Sequence, residues 1–248
     1  MPRPATDEDC EIFDSLRESR RPPGHFVGDG LRVVRRMLEK KAAVRLLCSP
    51  DWLEKLPPHE GVDVLTAPRD RLDRLVGFRL HQGIMALGRI PPPRPLSGSF
   101  HVALDGLNNA ENVGAVLRTC AAFGVEGVLY DGTCASPWLR RAVRVSLAAV
   151  LQVPLHPLPD LATALQPLNA WAAHIHGERR DYRELDYRGP VCIVIGGEDK
   201  GVTGPVREAC KGTIYIPMAG GWDCLNAATS AAVLLAEVAR QRVMNYPG

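Results

Sequence analysis

The chain has 248 residues, a formal net charge of +2 and 46% apolar residues, which is room for one large or two modest domains of ordinary globular composition. No apolar run approaches the ~20 residues that a membrane-spanning helix needs. The acidic opening Thr6-Asp7-Glu8-Asp9 has no apolar stretch behind it, so no secretory signal and a cytoplasmic location are expected.

Leu31, Val34 and Leu38 fall at helical spacing and predict a helix over 31–38. Strands are expected at 44–48 and 62–65 and a short helix at 72–76. The run His81-Gln82-Gly83-Ile84 leads into a last strand. These elements predict a small α/β domain over residues 1–90. Its early part is crowded with cations: Arg17, Arg20, Arg21, Arg32, Arg35, Arg36, Lys40, Lys41 and Arg45. Residues 91–99, Pro-Pro-Pro-Arg-Pro-Leu-Ser-Gly-Ser, form a stiff, extended linker, because successive prolines neither extend a helix nor donate to a ladder.

Residues 100–248 repeat strand then helix. Strands are expected at 101–105, 126–130, 153–156, 172–176, 191–196 and 213–217. Helices are expected at 112–123, 137–150, 160–168, 203–210 and 225–243. This alternation implies a mainly parallel sheet covered on both faces, with ligands beyond the carboxyl ends of its strands. Arg140, Arg141 and Arg144 share one predicted helix; Arg179, Arg180, Arg183 and Arg188 share one loop. Such local patches hold phosphates while the global charge stays near zero; solvated surface faces explain them equally well.

Three blocks in this region carry chemistry. The first, Asn112-Val113-Gly114-Ala115-Val116-Leu117-Arg118-Thr119, opens a helix entered from a strand through Asp105-Gly106-Leu107-Asn108-Asn109-Ala110-Glu111, a stretch of short polar residues that cap helices. Amides exposed at such a start bind anions. Arg118 sits further along this Ala-rich helix, either as a ligand for an anion or as a surface or salt-bridged arginine. In the second block, a buried strand ends in Ile195-Gly196-Gly197-Glu198-Asp199-Lys200-Gly201. Its glycine spacing fits neither a P-loop nor GxGxxG, leaving a loop whose backbone can approach a ligand closely, with Glu198 at its tip. The third block runs from Ile216-Pro217-Met218 to Leu225-Asn226-Ala227-Ala228, where a helix of small residues begins.

Taken in order, the three blocks resemble the motifs of the SpoU (TrmH) branch of the SPOUT RNA methyltransferases, over roughly residues 100–243. The resemblance implies an α/β domain whose C-terminal part is threaded into a trefoil knot, an S-adenosylmethionine cofactor, an rRNA or tRNA substrate methylated on a ribose 2′-hydroxyl, and a homodimer. It assigns Asn112, Arg118, Glu198 and Asn226 to catalysis. Cofactor contact falls to Ile195, Gly196, Gly197, Gly201, Ile216, Met218 and Leu225. The chain departs from the family at Cys224, where serine is usual, and a thiol is the weaker hydrogen-bond donor. Gly24-His25-Phe26-Val27-Gly28-Asp29-Gly30 and His81-Gln82-Gly83-Ile84 resemble the L30e-like RNA-binding domain fused to many such enzymes. On that reading the cations of residues 17–45 become candidate phosphate contacts.

Other constellations point elsewhere only weakly. His174 and His176 share one face of a predicted strand, but no third ligand is evident and no metal is expected. Seven cysteines without a CxxC pair argue against a disulfide framework and fit small reduced core residues. Two rival functions stay open at this point: an RNA-binding or assembly protein that kept the fold without catalysis, favoured only by Cys224, and a methyltransferase acting on a base.

Overall fold

The computed structural model describes residues 2–13, 22–76, 82–175, 178–220 and 224–242. Arg17, Arg20, Arg21, His81, His176, loop residues 221–223 and residue 243 of the last expected helix lie outside them. The chain begins with β1 (Arg3–Pro4), α1 (Asp7–Glu11), β2 (His25–Asp29), α2 (Leu31–Glu39), β3 (Ala43–Cys48), β4 (Asp63–Thr66), α3 (Arg69–Val76) and β5 (Ile84–Arg89). It continues with β6 (Phe100–Asp105), α4 (Ala110–Ala122), β7 (Gly127–Tyr130), α5 (Arg140–Val145), β8 (Leu155–Pro157) and α6 (Leu161–Leu165). The last elements are β9 (Ala170–Ala173), β10 (Arg180–Asp181), β11 (Val191–Gly196), α7 (Gly204–Glu208), β12 (Gly212–Tyr215) and α8 (Ala227–Gln241). Among the described residues no helix is long and apolar enough to cross a membrane.

Two compact units divide these elements: Met1–Pro92 with Trp138–Leu151, and Pro93–Pro137 with Gln152–Gly248. In the first, strands are ordered β1-β4-β3-β5-β2. Val33, Val34, Met37 and Leu38 form the buried face of α2. Gly28 lets that helix close on β2, because a Cβ there would meet Val33 Cγ1 at 2.5 Å and Met37 Sδ at 2.6 Å.

The segment carrying α5 belongs to this first unit and packs on β2. Arg140 Nη1 lies 3.1 Å from Asp29 Oδ2, with both side chains largely buried. Burial raises the Asp29 pKa against the opposing pull of Arg140 and Arg144. The helix expected over 137–150 is shorter than its pattern suggests. Leu147 and Ala148 take positive φ of 52° and 61°, which ends a right-handed helix.

Several cations expected to contact phosphate are engaged within the unit. Arg45 Nε donates to Asp63 Oδ2 at 2.8 Å, Arg36 Nη1 to the Leu147 carbonyl at 2.7 Å, and Arg35 Nη2 to the Lys55 carbonyl at 3.0 Å.

The second unit holds a seven-stranded sheet of order β10-β12-β9-β11-β6-β7-β8, parallel at every pairing. One face buries Ala103, Leu129, Ala170, Ala172, Cys192 and Val194 against Leu161 and Leu165 of α6 and Val206 of α7. On the other side α8 packs on β11 and α4 packs on α8. Both faces being covered explains why β11 is a continuous apolar run and why β6 is buried along its whole length, His101 and Asp105 included. The order of connection reverses between β6 and β11, so the crevice at their carboxyl ends is the topological switch point.

The expected loop at 179–188 contains β10, whose Arg180 pairs with Ile214 of β12. Strand β9 ends at Ala173, so His174 follows the strand, and the shared-face argument for His174 and His176 does not hold.

Candidate active site

Asn112 lies in the first turn of α4, which begins where Asn109 Oδ1 accepts from the Glu111 amide at 2.8 Å. Glu198 sits at the tip of the loop leaving β11, and Asn226 caps α8. The three meet. Asn112 Nδ2 donates to Glu198 Oε1 at 2.6 Å, and Asn226 Nδ2 donates to the same oxygen at 2.9 Å and to Asn112 Oδ1 at 3.1 Å. Asn226 Oδ1 accepts from the Ala228 amide at 2.9 Å. Both ends of each amide are thereby committed, which fixes the side chains before any substrate arrives. Asn112 is 8% exposed, whereas Glu198 is exposed on its other side.

The glycine-rich loop is held against the end of β6 by backbone contacts. The Gly197 amide donates to the Asp105 carbonyl at 2.8 Å, and the Thr203 amide donates to Asp105 Oδ2 at 2.6 Å. A Cβ on Gly196 would lie 2.1 Å from the Gly201 carbonyl carbon, and one on Gly197 would lie 2.4 Å from the Gly106 oxygen. These glycines are required because main chain passes where a side chain would sit. Gly201, at φ +62°, supplies the left-handed residue that turns the loop back.

Beside this loop lies a cavity of about 430 Å³, within the usual size for small-molecule sites. All seven residues assigned to cofactor contact line it: Ile195, Gly196, Gly197, Gly201, Ile216, Met218 and Leu225. Glu198 and Asn226 border it too, as does Cys224. Ala173, His174, Ile175 and Tyr215 also line it, although the sequence points to none of them as a cofactor contact and marks His174 only as a weak metal-ligand candidate. Their one signal was position, since they end or follow β9 and β12.

Arg118 is not brought into the cluster. It is six residues beyond Asn112 on α4, hence about 120° around the helix. It is exposed, and its side chain makes no hydrogen bond or ion pair among the described residues.

Known proteins share this fold and resemble this sequence. The family model of the SpoU rRNA Methylase family matches residues 99–236. The chain belongs to that family. An uncharacterized tRNA/rRNA methyltransferase of Mycobacterium sp. (strain KMS) is 36% identical over 199 residues, which is 73% of this chain and 63% of that protein. The chain thus spans under two thirds of the length of the curated relatives it matches. Among solved SpoU structures, AviRb from Streptomyces viridochromogenes in complex with AdoMet superposes with a TM-score of 0.82 at 23% identity, covering 96% of this chain and 98% of that one. An RNA 2′-O ribose methyltransferase superposes with a TM-score of 0.76 at 27% identity, covering 98% and 100%. The α/β architecture of this SpoU-family chain is therefore shared over nearly its whole length.

Proposed function

We propose that this protein is an S-adenosylmethionine-dependent methyltransferase acting on a ribose 2′-hydroxyl of rRNA or tRNA. One observation carries the reading: Asn112, Glu198 and Asn226, far apart in sequence, form one hydrogen-bonded cluster at the rim of a cavity lined by all seven residues assigned to the cofactor.

The residues fit S-adenosylmethionine. Ile195, Ile216, Met218 and Leu225 offer an apolar wall for adenine, and the glycine loop offers main-chain groups at close range. When bound, the cofactor supplies a methyl group already activated by its sulfonium, so the protein's task is alignment and management of charge. Glu198, gripping two amides, holds Asn112 and Asn226 in one orientation. Arg118 is exposed and binds the phosphate beside the target ribose, stabilising the alkoxide that develops there. A guanidinium stays protonated at ordinary pH and cannot act as the base, so the proton leaves to solvent or to a phosphate oxygen.

The family resemblance extends the proposal. The protein acts in the cytoplasm as a homodimer, its C-terminal passage is threaded as a trefoil knot, and residues 1–90 form an L30e-like RNA-binding domain.

The deciding experiment is methyl transfer from labelled S-adenosylmethionine to size-fractionated RNA from a strain lacking the protein. Label at one site, with the adjacent phosphodiester resistant to alkali, is expected. Label in an alkali-sensitive position would refute 2′-O chemistry. Replacing Arg118 with Lys keeps charge but loses the bidentate fork; methyl transfer should fall about tenfold or more, and full activity would sink the fork assignment.

A further inference from the structure

A second depression in the same unit, of about 670 Å³, is lined by Trp171, Glu178, Arg179, Arg180, Arg207 and Lys211 together with the turn into β12. Its four cations differ from most arginines nearby. Arg183, Arg188 and Arg240 are each tied to a carboxylate, Asp181, Asp186 and Glu237, at 2.5 to 2.8 Å. Arg179, Arg180, Arg207 and Lys211 form no ion pair among the described residues, although Glu178 and Glu208 share the depression. All four are exposed.

Aromatic rings hold two of the guanidinium groups. Arg179 Cζ lies 4.7 Å from the centroid of Tyr215, and Arg180 Cζ lies 5.9 Å from that of Trp171. The main chain beneath them is fixed. Arg180 pairs with Ile214 in the ladder, and the Thr213 hydroxyl donates to the Glu178 carbonyl. The depression adjoins the cofactor cavity through two residues lining the latter: Tyr215 under Arg179, and His174, whose Nε2 accepts from Arg207 Nη1 at 2.9 Å.

Unpaired cations on a rigid edge, interleaved with aromatic rings, match the chemistry of an unpaired nucleic-acid strand, which presents phosphates and stackable faces together. We propose that this depression binds the sugar-phosphate backbone of a single-stranded RNA segment flanking the modified nucleotide. The inference rests on the RNA methyltransferase reading above, and it makes Arg179, Arg180, Arg207 and Lys211 RNA-binding residues of the catalytic unit.

The probe is a fluorescein-labelled oligouridylate of twelve nucleotides, followed by anisotropy across a salt series with the whole protein. The double variant R179Q/R180Q and the double variant R207Q/K211Q should each weaken binding about tenfold. Each should lower the salt slope by about 0.7 for every phosphate no longer neutralised. R188Q and R240Q, whose guanidinium groups are already paired, should bind like the parent. R179K/R180K, which retains charge but not the planar stack, should fall between. Weakening no greater than that of the two controls would overturn the proposal, as would displacement of the RNA by polyglutamate at equal charge concentration, which would indicate a site for acidic protein. Cofactor calorimetry and circular dichroism on each variant separate misfolding from weakened RNA binding; should a double variant misfold, the lysine variant carries the test. Methyl transfer separates the two readings. A raised KM for RNA at unchanged kcat is expected, and an unchanged KM overturns the groove. If the parent transfers no methyl group but its oligouridylate binding depends on these residues, the groove stands and the catalytic reading falls.

Discussion

Asn226 works in two directions at once. Its Oδ1 caps α8 through the Ala228 amide while its Nδ2 reaches Glu198 and Asn112. Asn226→Ala should therefore lose about 1 kcal/mol of stability from the missing cap together with methyl transfer, measured by urea unfolding and by assay on the same preparation. Asn226→Asp retains the cap acceptor but sets a second carboxylate beside Glu198, so it should keep most of the stability and still lose activity. An alanine variant as stable as the parent would show that the cap is not made in solution. At this scale the sequence is informative where a residue is chemically unusual for its place: Asn112 in an apolar helix, Glu198 at the tip of a glycine loop, Asn226 before a run of alanines. Tyr215 and Arg207 carry no such mark, and the mark on His174 points to a metal rather than to the cofactor cavity. Their roles arise from which strand ends lie side by side, which one strand's composition does not encode.

Among the elements, the loop from Gly196 to Gly201 has the least tolerance. Gly196→Ala would force a methyl group into the Gly201 main chain. It should cost about 1–3 kcal/mol, as overpacking does, and abolish cofactor binding by calorimetry. Gly220→Ala is the matched control, because among the described residues nothing lies within 4 Å of its added Cβ, and it should stay within about 0.5 kcal/mol of the parent. Equal effects of the two substitutions would contradict the packed loop. Strand β11 is legible as an apolar run because both of its faces are buried, and β6 as the shorter run Val102-Ala103-Leu104. The early end of α5 is not, since Leu147 and Ala148 adopt left-handed conformations without the glycine that usually signals one. Two-residue β10 is too short and too charged to show alternation.

For the whole molecule, acid sensitivity has an internal source. His101 of β6 and His156 of β8 are 6% and 8% exposed. His101 Nδ1 and His156 Nε2 have no hydrogen-bond partner among the described residues. Burial lowers both pKa values below the ordinary 6.5. The unfolded chain then takes up protons first as pH falls. The stability these neutral rings contribute is complete above about 6.5 and is lost as pH drops through their lower folded values. Urea midpoints should be level from pH 8 to 7 and decline below 6, with a shallower decline in the double variant H101Q/H156Q. An unchanged slope would place the acid sensitivity elsewhere.

The excursion of Trp138–Leu151 into the first unit governs how this protein can be taken apart or recombined. The chain crosses between units at Pro92–Pro93, Pro137–Trp138 and Leu151–Gln152, so the proline-rich stretch is only one of three seams. A cut there parts Phe26 from Trp138, whose rings lie 5.0 Å apart, and Asp29 from Arg140, and uncovers the face of β2 on which α5 packs. Residues 1–92 expressed alone should bind a hydrophobic dye and aggregate. The two units are therefore not exchangeable cassettes: a lineage or an engineer replacing the front half inherits the obligation to replace fourteen residues embedded in the back half as well.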